Sequence, residues 1–261
     1  MKSEADASLP PAKAKLDTST RVFVDSHAGQ TCALSRSAKR VRTSNFSAQL
    51  SHRYSYMGIS MQDSRLDELA RMIEAWPGLV SSPAEDLVAD SLVLLDHLGA
   101  ARRLVDIGSG GGLPGLALKV ARPDLDVTLV EADQRKAAFL VQAATKLELE
   151  ADVVARRAED AAHDERYRER FDVAVARALA PMRTLVELCL PFVKVGGRLL
   201  AQKTHDEEAG YAIEVLGGRL ESVIQAPSGA RSRGVVVVVR KVAPTPAAYP
   251  RRPGVPSRRP L

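Results

Sequence analysis

From about Ser64 onward apolar residues recur in two alternating rhythms, and before Ser64 they follow neither. Leu66, Leu69, Ile73 and Trp76 stand at helical spacing behind Ser64-Arg-Leu-Asp67, which reads as a capping box with Ser64 as N-cap. A second helix is predicted from Ser82-Pro83-Ala84-Glu85, with Ser82 as N-cap and Pro83 in the first turn. It runs through Leu87, Leu92 and Leu95 and ends before Gly99. Beyond that point short apolar runs of strand length take over, at 103–107, 126–130, 152–155, 172–176, 198–202, 222–225 and 235–240. Helical patterns fill most of the gaps, including 134–147 behind an Asp133 N-cap. Strand alternating with helix builds a mostly parallel α/β sheet, here of seven strands, with helices on both faces and a short N-terminal helical cap. The chain therefore divides into a leader (1–62), a cap (63–99), a sheet domain (100–242) and a C-terminal tail (243–261).

The leader is rich in Ser, Ala, Lys and Arg, a composition that buries too little apolar surface to offset the entropy of ordering, so it is expected to be mostly disordered. Charge sharpens the division. The net +5 conceals 20 basic and 28 acidic residues in 63–221, against eight basic residues and no acid in 222–261. Between Ser26 and Gln62 there are five basic residues and again no acid. An acidic body with basic extensions points to a polyanionic partner met by the extensions. The apolar run Val235 to Val239 is far too short to cross a bilayer, and the N-terminus lacks a secretory pattern, so a cytoplasmic location is expected. Cys32 and Cys189 form no CxxC pair, and the five histidines show no metal-ligand spacing, so neither a disulfide framework nor a metal is expected.

The densest chemical signal is Leu104-Val-Asp-Ile-Gly-Ser-Gly-Gly-Gly-Leu-Pro-Gly115. An apolar strand ends in Asp106, and glycines follow where a ligand must press against the backbone before a helix opens near Pro114. Gly110, Gly112 and Gly115 satisfy the dinucleotide pattern GxGxxG, so a nicotinamide oxidoreductase is one reading. Asp106-x-Gly108-x-Gly110 supports the other, because an acid just ahead of the first glycine suits the positively charged methionine portion of S-adenosylmethionine. Glu131 closes the next strand, where a carboxylate accepts ribose hydroxyls from either cofactor. Arg177 ends the fourth strand and is expected to face the crevice beyond the strand ends. The oxidoreductase reading lacks a proton-donor constellation of His or Tyr-x-x-x-Lys. After the fourth strand the chain reads Arg177-Ala-Leu-Ala-Pro-Met182, without Asn-Pro-Pro-Tyr or Pro-Cys, which disfavours amino-group methylation of a base and a covalent cysteine route.

Asp106-Ile-Gly-Ser-Gly-Gly-Gly-Leu-Pro-Gly115, Arg177-Ala178, Lys203 and the terminal Tyr249-Pro-Arg-Arg-Pro-Gly-Val-Pro-Ser-Arg-Arg-Pro-Leu261 together resemble the bacterial small-subunit ribosomal RNA (guanine-N7) methyltransferases, long called glucose-inhibited division protein B. The similarity runs from about Ser64 to Leu261. It implies a class I, Rossmann-like S-adenosylmethionine-dependent fold, with cofactor contacts at Gly108, Leu113, Ala158, Glu159 and Arg177. Gly110 of the turn and Glu131 at the close of the next strand join these from the reading of the residues. The implied substrate is a guanine in a loop of 16S ribosomal RNA near the decoding centre, and another RNA is the alternative. Lys203 and the tail residues Arg251, Arg252, Arg258 and Arg259 are expected to meet RNA, with Pro250, Pro253, Pro256 and Pro260 keeping the tail extended. No catalytic side chain is assigned, since guanine N7 carries a lone pair and no proton and alignment alone can carry the transfer. One departure is visible: 78–92 lacks the Asn-Leu-Thr segment and following His that the family usually places before Asp-Ser-Leu.

Overall fold

A computed structural model describes residues 63–79 and 83–261. The leader and the expected N-cap Ser82 lie outside them. Helix α1 (Ser64–Ala75) is capped one residue earlier than predicted. Asp63, not Ser64, accepts from Arg65 N at 2.9 Å, an ionised carboxylate being favoured at the positive end of a helix. Helix α2 (Ala84–Leu92) has Pro83 at its N-cap, and its first amide, Ala84 N, donates instead to Glu74 Oε1 of α1 at 3.1 Å. It does not run on to Gly99. The chain stops at Leu92 and resumes as the single turn α3 (Leu95–Leu98).

In chain order there follow β1 (Arg103–Ile107), α4 (Gly115–Ala121), β2 (Asp126–Val130), α5 (Gln134–Lys146), β3 (Ala151–Val154) and α6 (Ala158–Ala161). The second half holds β4 (Phe171–Arg177), α7 (Met182–Cys189), β5 (Val193–Lys203), α8 (Gly210–Val215), β6 (Gly218–Gln225), β7 (Val235–Lys241) and α9 (Val255–Arg258). β1 and β2 keep their predicted bounds, and Asp133 caps α5 by accepting from Arg135 N and Lys136 N at 2.8 and 3.2 Å. β5 begins at Val193 rather than 198, and β6 at Gly218 rather than 222. Those early residues are largely exposed and held by backbone pairing, to which apolar alternation is blind.

The strands form one sheet in the order β3-β2-β1-β4-β5-β7-β6. β1 to β5 pair in parallel, and β7 runs antiparallel between β5 and β6. Alternation along each strand splits the interior into two cores. Leu104, Val173, Val175, Val236 and Val238 pack on one face with α1, α2, α4 and α5. Val105, Ile107, Ala174, Ala176 and Val237 pack on the other with α7 and α8. The cap thus shares a core with the sheet, and an edge-to-face contact of Trp76 with Phe139, ring centres 5.3 Å apart, ties it to α5. The strand order reverses direction between β1 and β4. An open α/β sheet leaves its ligand crevice at that reversal, beyond the strand ends.

Candidate active site

Asp106, the next-to-last residue of β1, and Arg177, the last of β4, flank the reversal point. Asp106 is fully buried. Its Oδ2 accepts from Gly115 N at 2.9 Å, which holds the start of α4 to the end of β1. Gly115 is required by that closeness, since a Cβ there would meet Leu129 Cδ2 at 2.5 Å and Asp106 Oδ2 at 2.8 Å. The other oxygen, Asp106 Oδ1, is buried without a partner among the described residues. Burial pushes the carboxyl up to about 7, against the opposing pull of the Gly115 amide and the Arg177 charge.

Between Asp106 and Gly115 the backbone turns through Gly108, whose φ of +72° suits glycine. Gly108 N donates to Val130 O at 2.8 Å, binding the turn to the end of β2. Glu131, one residue on, accepts from Gly110 N through Oε2 and from Asp133 N through Oε1, both at 2.8 Å. Leu113 points into the core with the cap, so any ligand contact there falls to its backbone.

Arg177 lines a cleft of about 740 Å³. The cleft opens between the cap, through Leu87 and Asp90, the ends of β4 and β5, through Arg177 and Gln202, and the β6–β7 loop, through Arg231. Arg177 Nε is buried with no partner among the described residues, and burial lowers the pKa of the guanidinium while Asp90 and Asp106 raise it. The following residue, Ala178, holds a left-handed backbone with φ of +51°, strain of the kind that collects at ligand sites. Lys203 also lines the cleft, its ammonium held by Ala180 O at 2.9 Å and Glu207 at 2.8 Å.

Sequence reasoning missed the supports of this cleft. Asp90 is fully buried and takes Ser228 Oγ at 2.6 Å, together with Arg231 Nε at 3.0 and 2.9 Å. By composition Arg231 is one more base of a basic end, yet it neutralises a carboxylate far back in the cap. Only a polar residue at a core position of α2 hinted at Asp90.

The tail departs from expectation in two ways. It is folded back on the body and not extended: Thr184 Oγ1 donates to Pro256 O at 3.0 Å, Arg168 Nη1 to Tyr249 O at 2.9 Å, and Pro256 is buried. Arg251, expected on RNA, is committed to the fully buried Glu187, to which its backbone amide, Nε and Nη2 all donate at 2.6–3.2 Å. Desolvating Glu187 demands a cation, and Arg251 supplies it. Glu159, placed at the start of α6 beside Ala158, accepts from Gly254 N at 2.9 Å, so its carboxylate also serves the tail. Arg252, Arg258 and Arg259 remain exposed and form no ion pair among the described residues. No group of three or more His, Cys, Asp or Glu among the described residues is arranged to hold a metal.

A seven-stranded sheet in this order, with a glycine turn after β1 and an acid closing β2, defines a class I S-adenosylmethionine-dependent methyltransferase. The O-methyltransferase TomG from Streptomyces achromogenes, solved in complex with S-adenosylmethionine, shares the fold at a TM-score of 0.54 and 17% identity, over 77% of this chain and 99% of that one. The particular family follows from sequence. The profile described as rRNA small subunit methyltransferase G matches residues 81–221. The ribosomal RNA small subunit methyltransferase G of Roseiflexus castenholzii is 50% identical over 224 residues, covering 78% of this chain and 95% of that protein. Its counterpart from Moorella thermoacetica is 45% identical over 183 residues, covering 67% and 76%. The chain belongs to this family of ribosomal RNA methyltransferases.

Proposed function

We propose that this enzyme transfers the methyl group of S-adenosylmethionine to N7 of a guanine in a loop of 16S ribosomal RNA, in the cytoplasm. The observation that carries the cofactor side is the pair of buried, unpartnered atoms at the switch point, Asp106 Oδ1 and Arg177 Nε. An amino acid moiety complements them: its ammonium suits the carboxylate, and its carboxylate suits the guanidinium. Gly108, Gly110 and the Leu113 backbone form the turn against which the cofactor rests, and Glu131 exchanges its Gly110 amide for the ribose hydroxyls. At the adenine end the backbone of Ala158 and Glu159 takes the contact, the Glu159 carboxylate being occupied by Gly254.

The cofactor supplies an electrophilic methyl group on sulfur, open to in-line displacement by a lone pair. Guanine N7 has that lone pair and no proton to shed, so no general base is needed. What the chain contributes is alignment, worth roughly 7–11 kcal/mol in favourable cases. Stacked A-form RNA hides N7 in a deep, narrow groove, so the target belongs in a loop from which the base can be extruded. No helix among the described residues is long and apolar enough to cross a membrane.

The test is methyl transfer from labelled cofactor to small-subunit RNA lacking its native modifications, mapped by borohydride–aniline cleavage at 7-methylguanosine. One new cleavage site in a loop is the expected result. Cofactor binding without incorporation, on naked RNA and on assembled subunits alike, would overturn the substrate.

A further inference from the structure

We propose that Gln202 is the residue that selects guanine, its Oε1 accepting the N1–H of the target base at the floor of the cleft. The inference rests on the guanine-N7 reading above and adds the means of recognition. Gln202 stands next to last on β5, lines the cleft and is 1% exposed. Its Nε2 donates to Asp90 O at 2.7 Å. A backbone carbonyl only accepts, so the amide cannot be turned over, and the opposite atom must be the acceptor. That atom, Oε1, is buried with no donor among the described residues. Buried amide oxygens are nearly always satisfied, and an orphan calls for a ligand or an explanation. Arg177 in the same cleft is a donor with its own orphan, yet the two do not satisfy each other.

The acceptor is also rigid. Asp90, which orients Gln202, is pinned by Ser228 Oγ at 2.6 Å and by Arg231 Nη2 at 2.8 Å, and Arg231 Nη1 reaches on to the carbonyl of Lys203, the neighbour of Gln202. Locked second partners of this kind hold a recognition atom in place. A fixed acceptor distinguishes the purines sharply. Guanine offers a hydrogen at N1, whereas adenine offers a lone pair, which would face the lone pairs of Oε1. N7 lies in the other ring, across the C6 oxygen from N1, and its lone pair points away from the N1–H axis. Holding N1–H on Gln202 therefore leaves N7 free to meet the methyl group. The cleft, at about 740 Å³, falls within the roughly 300–1,000 Å³ of small-ligand sites.

The experiment uses the whole protein and small-subunit RNA with guanosine, inosine or adenosine at the target position. Inosine keeps N1–H and lacks only the 2-amino group. The unsubstituted enzyme is expected to methylate inosine within about tenfold of guanosine and to reject adenosine by at least about a thousandfold, as sites built around a hydrogen bond do. Gln202→Leu removes the acceptor at similar volume. It is expected to lower kcat/KM on guanosine about 10- to 100-fold and to narrow the guanosine–adenosine gap by the same factor. Its Kd for S-adenosylmethionine, measured by titration calorimetry, should stay within about twofold of the parent. An unchanged gap, or cofactor affinity falling in step with activity, would overturn the assignment. So would loss of inosine by the unsubstituted enzyme, a result that needs no variant and is immune to misfolding. Absence of 7-methylguanosine from the parent enzyme on guanosine RNA would overturn the guanine-N7 reading instead, and it is visible before any substitution is made.

Discussion

Burial favours the protonated form of Asp106, which bears on both stability and ligand binding. Its carboxyl is raised from 3.8 to about 7 in the folded chain. Because the folded state holds the proton more tightly than the unfolded one, stability from this group is complete below the unfolded value and falls as pH rises through about 7. The span corresponds to something on the order of 4 kcal/mol. Urea unfolding of the ligand-free protein at pH 5 and pH 8 should show the part of this loss that lies above pH 5, about 2–3 kcal/mol, and Asp106→Asn should remove that part of the slope. A bound ammonium favours the ionised carboxylate, so cofactor affinity should rise across the same window with release of a proton. Calorimetry in buffers of different ionisation heat would detect it. In Asp106→Asn the proton release should vanish and the Kd should rise about tenfold or more, the worth of a hydrogen bond to a charge. A Kd and proton count identical to the parent would exclude contact between Asp106 and the cofactor.

Among the elements, the docked tail braces the side of the crevice where the adenine contact is proposed. α6 carries Ala158 and Glu159, and Glu159 is tied to Gly254, while α7 carries Glu187, which is tied to Arg251. The tail thereby bridges two helices that border the strand ends. Breaking one side of a buried ion pair leaves the other charge stranded, which costs about 3–5 kcal/mol when burial is complete. Arg251 is partly exposed, so the lower end applies: Arg251→Ala should cost about 3 kcal/mol in urea unfolding. It should also make the chain after Lys241 sensitive to brief proteolysis. A variant as stable and as protease-resistant as the parent would show that the tail is held by its apolar contacts alone. Much of the element pattern was legible beforehand. Val127, Leu129 and Val130 are buried on both faces of a parallel strand and, with only Thr128 between them, read as a near-continuous apolar run. The first residues of β5 and β6 were not legible, because backbone pairing of largely exposed residues leaves no apolar signature.

Across the whole molecule, the segregation of charge survives folding, with fewer free arginines than the sequence count suggests. Arg231 and Arg251 are consumed by Asp90 and Glu187. Arg252, Arg258 and Arg259 remain exposed on the tail, and these are the ones expected to meet phosphate. Replacing the three with Ala should weaken RNA binding and reduce the slope of log K against log salt by about two, at roughly 0.7 per contact to single-stranded RNA. Filter binding between 50 and 200 mM salt, about the range where such contacts are felt, would measure it. An unchanged slope would place the RNA surface elsewhere. The same arginines are absent from the cofactor site, so S-adenosylmethionine affinity should not move.

Near-neighbour physics was sufficient for the carboxyl ends of the strands, the glycine turn with Asp106 behind it, the Asp133 cap and Arg177 at the end of β4. Each depends on a periodicity or on a residue type demanded by the backbone within a few positions. The cleft depends on meetings no local rule encodes. Asp90 finds Arg231 and Ser228 across more than half the chain, Glu187 finds Arg251, and Glu159 finds Gly254. A count of acids and bases registers these residues as charge; only packing decides which carboxylate is desolvated and which guanidinium must answer it. The same packing left Gln202 with one amide atom satisfied and the other waiting.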